Sequence, residues 1–192
     1  MSLLRVSISL HLSDPGVDPE SFVPVFHDWI RRSAVEGLLI DVARYAHVHN
    51  GPGIMLVGHE GDYSIELSEG RPALRYTQKR AVPDAPRDAV ALVLRRLLGA
   101  AAQAAAVPGG AVATGELVVE IRDRLTAPNS PDTLASLGPE IAAGLGEYLP
   151  GVTLADAPRD EDPRAPFAVR AAVSGTALSD AIATPAAASA VA

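Results

Sequence analysis

The first apolar stretch of the chain alternates strictly with polar residues. Val6, Ile8 and Leu10 are separated by Ser7 and Ser9. Side chains of a strand point alternately to its two faces, so this period of two predicts a half-buried β-strand near residues 4–12. Such a strand needs hydrogen-bonded neighbours and a layer that covers its apolar face. The pattern therefore constrains the fold more than any other feature.

Further segments supply those neighbours. Alternating apolar and polar residues recur on both sides of a turn at 68–71, and short apolar runs are typical of buried strands. The predicted strands are 38–42, 53–57, 62–67, 74–77, 116–121, 152–157 and 166–173. Short connections between the strands of 38–80 favour antiparallel pairing there.

Three segments have the periodicity of helices instead. Phe22, Phe26 and Trp29 follow the i, i+4, i+7 spacing of one helical face. Apolar stripes of the same kind run through 86–106 and 131–149. We therefore predict an α+β fold, with a mainly antiparallel sheet and about three packed helices.

The order of the predicted elements suggests an internal repeat. Strand, helix, strand, strand occurs near the start of the chain and again from about residue 117. The strand-to-strand offsets are 33 residues (5 to 38) and 35 residues (117 to 152). A duplicated βαββ unit is one explanation, and chance recurrence of a common order is the other. With either explanation, residues 1–174 form one domain with a possible half-boundary near 82–115, and residues 175–192 form an alanine-rich flexible tail.

Composition limits the classes of function. The 192 residues include no cysteine, which excludes disulfides and thiolate sites, and the absence of a signal peptide favours a soluble, cytoplasmic protein. No apolar run reaches the roughly 20 residues that span a bilayer, so we expect no membrane partner.

A net charge of −7 argues against a nucleic-acid partner. The local basic run is interpreted as a solvated edge strand and linker; it comprises Arg71, Arg75, Lys79, Arg80 and Arg87.

Residues 47–63, HVHNGPGIMLVGHEGDY, hold the strongest candidates for chemistry. His47 and His49 could bind one divalent metal if both lie on the same face of a strand, and His59 could complete the ligand set. Glu60 would then serve as a base, which makes Glu60 and His59 the candidate catalytic residues. The alternatives are a polar loop for the first pair and a hydrogen-bonded, partly buried side chain for His59.

The position at which the preceding strand ends decides between these alternatives. In a tight hairpin His49 faces Ile54 and Arg44 faces His59. His59 then lies on the opposite face from His47, roughly 10 Å along the strand. We favour a strand that ends near residue 43 followed by a long loop, because loops can bring ligands together that strands keep apart.

Part of this region resembles a known group of proteins. FHDWI at 26–30, IDVARYAHVHNGPGIMLVGHEGDY at 40–63 and LRYTQKR at 74–80 are similar to a family of small uncharacterised bacterial proteins. Their shared pattern is FHxWI, IDVAxYxHVxxGPG and GHExxY. The resemblance covers about the first eighty residues, and it implies no activity, cofactor or catalytic residue. It does favour the N-terminal half as the location of a site.

These observations lead to three functional hypotheses. The first is a non-catalytic domain that binds a small molecule or a protein, with a homodimer as one option and with Tyr45, His47, His49 and Asn50 as ligand-binding residues. The second is a small metal-assisted enzyme with a divalent metal on His47, His49 and His59. The third is an accessory subunit that buries the alanine-rich helix at 88–106 against a larger assembly.

Overall fold

A computed structural model describes residues 5–45, 51–155, 160 and 162–184 of the chain. Over these residues the chain forms eight strands, four α-helices and one 3-10 turn at Pro19–Ser21. The strands are β1 (Val6–His11), β2 (Leu39–Tyr45), β3 (Gly53–Gly58), β4 (Gly61–Ser68), β5 (Arg71–Gln78), β6 (Glu116–Ile121), β7 (Thr153–Leu154) and β8 (Phe167–Ala172). The helices are α1 (Phe22–Arg32), α2 (Pro86–Ala104), α3 (Pro131–Gly146) and α4 (Gly175–Ala183).

All eight strands belong to a single sheet. Their order is β2-β3-β4-β5-β1-β6-β8-β7, and each neighbouring pair is antiparallel. The predicted α+β class with a mainly antiparallel sheet is therefore confirmed. β1 lies between β5 and β6, so the first strand of the chain joins the two halves of the sheet.

The alternation in β1 separates the two faces of this sheet. Val6, Ile8 and Leu10 are fully buried in a core cluster that also contains the buried side chains of all four helices. The helices therefore cover the face to which these three residues point. Ser7 and Ser9 point to the opposite face. We call that opposite side the polar face.

An aromatic chain fixes α1 over the sheet. Phe26 contacts Trp29 with ring centroids 5.1 Å apart, and Trp29 meets the ring of Tyr63 edge-on at 6.4 Å. Tyr63 in turn contacts Tyr76 of β5 at 4.6 Å. The i, i+4, i+7 spacing thus positions the strands that carry the polar face, because β4 and β5 hold their aromatic residues on the helix side.

The alanine-rich α2 is buried within this chain. Its apolar side packs on β1, β5 and α3. A Cβ added at Gly144 of α3 would lie 2.9 Å from Cβ of Val90, so glycine allows the two helices to approach closely. The buried side of α2 is therefore covered by the chain's own sheet and helices, and docking of this helix on a larger assembly stays a prediction.

The chain after residue 174 differs from the predicted flexible tail. Residues 175–183 form α4, and Leu178 is fully buried in the core. This makes four α-helices in the described segments, one more than the approximate number expected. Alanine is the strongest helix former, so the same composition that suggested low complexity stabilises this short helix. No helix among the described residues is long and apolar enough to cross a bilayer.

Candidate functional site

The structure describes only part of the histidine-containing segment around residues 45–63. Tyr45 ends β2 opposite Gly53, and 41% of its side chain is exposed. His47, His49 and Asn50 lie outside the described residues. Gly51 and Pro52, which follow them, lie at the edge of a cleft on the polar face.

The register of β2 with β3 differs from that of the tight hairpin, which was the alternative to the long loop that we favoured. Arg44 faces Ile54 instead of His59, and β2 continues to Tyr45, two residues beyond the predicted end. Of the residues between β2 and β3, 46–50 lie outside the described residues. The long loop that we favoured over the hairpin therefore stays a prediction.

His59 and Glu60 lie at the other end of β3, in its turn to β4. The amide of His59 donates to the carbonyl of Leu38 at 2.8 Å, and its exposed ring lies 3.4 Å from the Arg80 guanidinium. His59 is therefore exposed, and the partly buried alternative was wrong. The carbonyl of Glu60 accepts hydrogen bonds from the amides of Lys79 and Arg80, so this turn anchors the end of β5.

The two ends of β3 are far apart. Strand rise places His59 about 20 Å from Gly53, the strand residue nearest to the 46–50 segment. Among the described residues no three histidine, aspartate or glutamate side chains are placed to hold a metal ion. A metal on His47, His49 and His59 remains a prediction.

The polar face carries buried charge. Arg75 of β5 lies next to Ser9 of β1 and Ser64 of β4, and each of the three is only 4% exposed. Glu120 of β6, also 4% exposed, reaches the same Arg75 from the other side of β1. The short side chains of Ser9 and Ser64 thus leave space on the polar face in which the long side chains of Arg75 and Glu120 meet.

An ion-pair network joins β4, β5 and β6 across β1 at this point. Nε of Arg75 lies 2.9 Å from Oε1 of Glu66, and Nη2 donates to Oε2 of Glu120 at 3.1 Å. Nε has no well-directed hydrogen-bond partner, so charge attraction holds its contact with Glu66. Arg122 donates from Nε to the other oxygen of Glu120. Arg75 is therefore fixed between two carboxylates.

These contacts determine the ionisation of Glu120. Burial by itself raises the pKa of this carboxyl, but Arg75 and Arg122 outweigh burial and keep the pKa below its ordinary value. Glu120 is therefore an ionised, paired group at neutral pH. It is poorly suited to exchange a proton with a substrate.

A second ion pair lies nearer the start of β4. The ammonium of Lys79 donates to Oδ1 of Asp62 at 2.7 Å, and the same oxygen accepts from the amide of Gly58 at 3.2 Å. Across β4 and β5 the register places Asp62 opposite Thr77. This pair therefore lies on the polar face, one step along the strands from Arg75.

Two adjoining clefts open between these groups, with volumes of about 190 Å³ and 170 Å³. Gly51, Glu66, Arg75 and Arg122 line both of them. We call the two clefts together the polar groove. Its remaining lining includes Arg5, Pro52, Met55, Asp62, Ser64, Thr77 and Lys79 in the first cleft, and Leu67, Ser68, Glu69 and Glu120 in the second.

The structure corrects our interpretation of the basic run. β5 is an interior strand between β4 and β1, and Arg75 is buried. A solvated edge strand was therefore the wrong prediction for this arginine. The available signal was polar alternation on an interior strand: Arg75 and Thr77 occupy the positions between the core residues Leu74 and Tyr76.

A different polar cluster lies on the helix side of β5. The hydroxyl of Tyr63 donates to the carbonyl of Glu36 at 2.8 Å, and the Arg96 guanidinium lies 5.6 Å from the ring centre of Tyr76. Burial raises the pKa of Tyr76 to about 12, against the opposing effect of Arg96. Arg95 and Arg96 also pair with the Glu36 carboxylate. These contacts tie α2 to the sheet, and we assign them a structural role.

Comparison with known proteins adds no assignment to this geometry. No protein-family model matches the chain, and a search of curated proteins finds no match. The proposed function therefore depends on the residues of the polar groove themselves.

Proposed function

We propose that this chain is a non-catalytic binding domain whose small-molecule site is the polar groove. The observation that supports the proposal is the buried Glu66–Arg75–Glu120 network on the polar face. Buried ion pairs are seldom the most stable solution for a protein, since well-packed apolar residues often do as well or better. Their presence beside two clefts is better explained by a ligand than by stability.

The groove also has the features of a prepared site. Arg75 is held in place from both sides, so little side-chain freedom is lost when a ligand binds. The hydroxyls of Ser64 and Thr77 line the first cleft, and within the described segments neither makes a hydrogen bond. These hydroxyls can donate to or accept from a ligand without breaking an existing contact.

The same contacts argue against catalysis in the groove. A general acid or base needs a pKa near the working pH. Glu120 has its pKa lowered, and Asp62 is committed to Lys79 and to the Gly58 amide. Binding therefore accounts for the arrangement better than proton transfer does.

The proposal includes a duplicated βαββ origin for the sheet. In the strand order, β1, β3 and β2 extend to one side, with the β4–β5 hairpin inserted, while β6, β8 and β7 extend to the other. One helix follows the first strand of each half, and α2 connects the halves. The polar groove would then lie close to the junction of the two units, at β1 and β6. We also propose a cytoplasmic location, because cysteine is absent.

Filling the first cleft tests the proposal. A set of small acids, amines and neutral polar molecules would be screened by thermal shift against the full chain, and dissociation constants measured for those that bind. We expect Thr77→Trp to weaken binding of the hits by ten-fold or more, because the indole occupies the cleft. The matched control is Thr153→Trp on the exposed β7 at the far edge of the sheet. Hits that bind both variants as they bind the wild type would contradict the proposal.

A further inference from the structure

The charges around the first cleft do not balance. The lining of this cleft and the ion pairs of its side chains contain four cationic side chains and three carboxylates, which are Arg5, Arg75, Lys79 and Arg122 against Asp62, Glu66 and Glu120. The difference is one positive charge. The chain as a whole carries a net charge of −7, so a local positive excess is contrary to the general trend.

Arg5 is the residue that carries this excess. Lys79 pairs with Asp62, and Arg122 pairs with Glu120. The guanidinium of Arg5 forms no ion pair or hydrogen bond in the part of the chain that the structure describes. It is exposed, and it lines the first cleft.

Strand register places three cations side by side. Val6 pairs with Gln78 of β5 and with Ile121 of β6. Continuing this register by one residue brings Arg5 between Lys79 and Arg122, and the amide of Arg122 donates to the carbonyl of Arg5 at 3.0 Å. Side chains directly opposite each other on one face of a sheet have Cβ atoms about 5 Å apart, and like charges in that position are destabilising. An anion between them would remove this repulsion.

The donors at this position match an oxyanion. A guanidinium can donate two parallel hydrogen bonds to a carboxylate or phosphate, and the lysine ammonium adds a point charge. Thr77, next to Lys79 on the polar face of β5, has a hydroxyl that can donate to a further oxygen. We infer that the groove takes small molecules bearing a carboxylate or phosphate group, with the oxyanion held by Arg5, Lys79 and Thr77.

This inference rests on the proposed function, since it names the ligand class for the same groove. The test is an amide chemical-shift titration of the full chain with four probes: inorganic phosphate, acetate, acetamide and methylammonium. We expect phosphate or acetate to shift the amides of Thr77 and Lys79 saturably. Comparing these two anions shows whether the groove prefers a phosphate group or a carboxylate. Acetamide, which is neutral, and methylammonium, which is a cation, should not shift these amides. Added sodium chloride should weaken the effect through screening.

An arginine substitution identifies the residue responsible. Arg5→Gln is expected to weaken binding of the oxyanion by roughly ten-fold, since the substitution removes a charge-assisted pair of hydrogen bonds. The control is Arg71→Gln, because Arg71 is exposed on the same face, has no ion pair among the described residues and lines neither cleft.

The outcomes separate the two proposals. If acetamide or methylammonium shifts the groove amides as strongly as the anions do, or if Arg5→Gln binds phosphate and acetate unchanged, the oxyanion inference is overturned while the groove remains a binding site. If none of the four probes shifts the groove amides, the oxyanion inference is overturned, and the thermal-shift screen with Thr77→Trp then decides the proposed function independently.

Discussion

Arg75→Ala is expected to lower the free energy of unfolding by about 3 to 5 kcal/mol, the range for removing one partner of a buried ion pair. The arginine lies between Glu66 and Glu120, and its side chain is 5% exposed. Its loss leaves carboxylates in a poorly hydrated place without their main counter-charge. Urea unfolding at pH 7 would measure the change. Arg71→Ala on the exposed end of the same strand is the control and should cost well under 1 kcal/mol.

The same variant has a distinctive pH dependence. In the wild type the pKa of Glu120 is lowered from its ordinary 4.5, so its contribution to stability is present above about pH 4.5 and is lost as the pH falls through the folded-state value. Without Arg75, the effect of burial, which raises the pKa of Glu120, is less opposed. Protonation of Glu120 then removes a buried charge. The stability difference between wild type and Arg75→Ala should therefore shrink between pH 7 and pH 4. A constant difference over that interval would mean that lost packing, and not charge, explains the effect.

Gly53→Ala is expected to destabilise the protein by about 2 to 5 kcal/mol, the sum of left-handed backbone strain and overpacking. Gly53 has φ +64°, and a Cβ there would lie 2.1 Å from the carbonyl oxygen of Ile65 on β4. The backbone at the start of β3 therefore lies directly against β4. This close approach positions Gly51 and Pro52 at the edge of the polar groove.

A second glycine separates strain from steric clash. Gly70 has φ +75°, yet a Cβ at that position would meet nothing within 4 Å. Gly70→Ala should therefore cost only about 1 to 2 kcal/mol, the strain of the left-handed region by itself. Chemical unfolding of both variants gives the comparison. Equal losses at the two positions would show that contact with β4 does not constrain Gly53.

The features that the sequence predicted are those set by local periodicity. Alternation of Val6, Ile8 and Leu10 with serines gives β1, and the spacing of Phe22, Phe26 and Trp29 gives the buried face of α1. A period of two or 3.6 reports which side of an element is buried. These patterns were sufficient for the α+β class and for most of the strands and helices.

The polar groove could not be predicted in the same way, because it depends on distant pairings. Arg75 and Glu120 are 45 residues apart, and they meet only because β1 lies between β5 and β6. No local pattern encodes that strand order. The histidine segment shows the converse problem, since 47, 49 and 59 are close in sequence while β3 separates His59 from the residues next to the other two.

The most direct test of the account is to locate the bound ligand on the sheet. Amide chemical-shift mapping of the screening hits on the full chain would do this residue by residue. We predict that the largest shifts fall on the polar face, at Ser64, Thr77 and Arg122. Shifts centred instead on the turn at His59 and Glu60, or on the helix side around Tyr76, would contradict the assignment of the polar groove as the binding site.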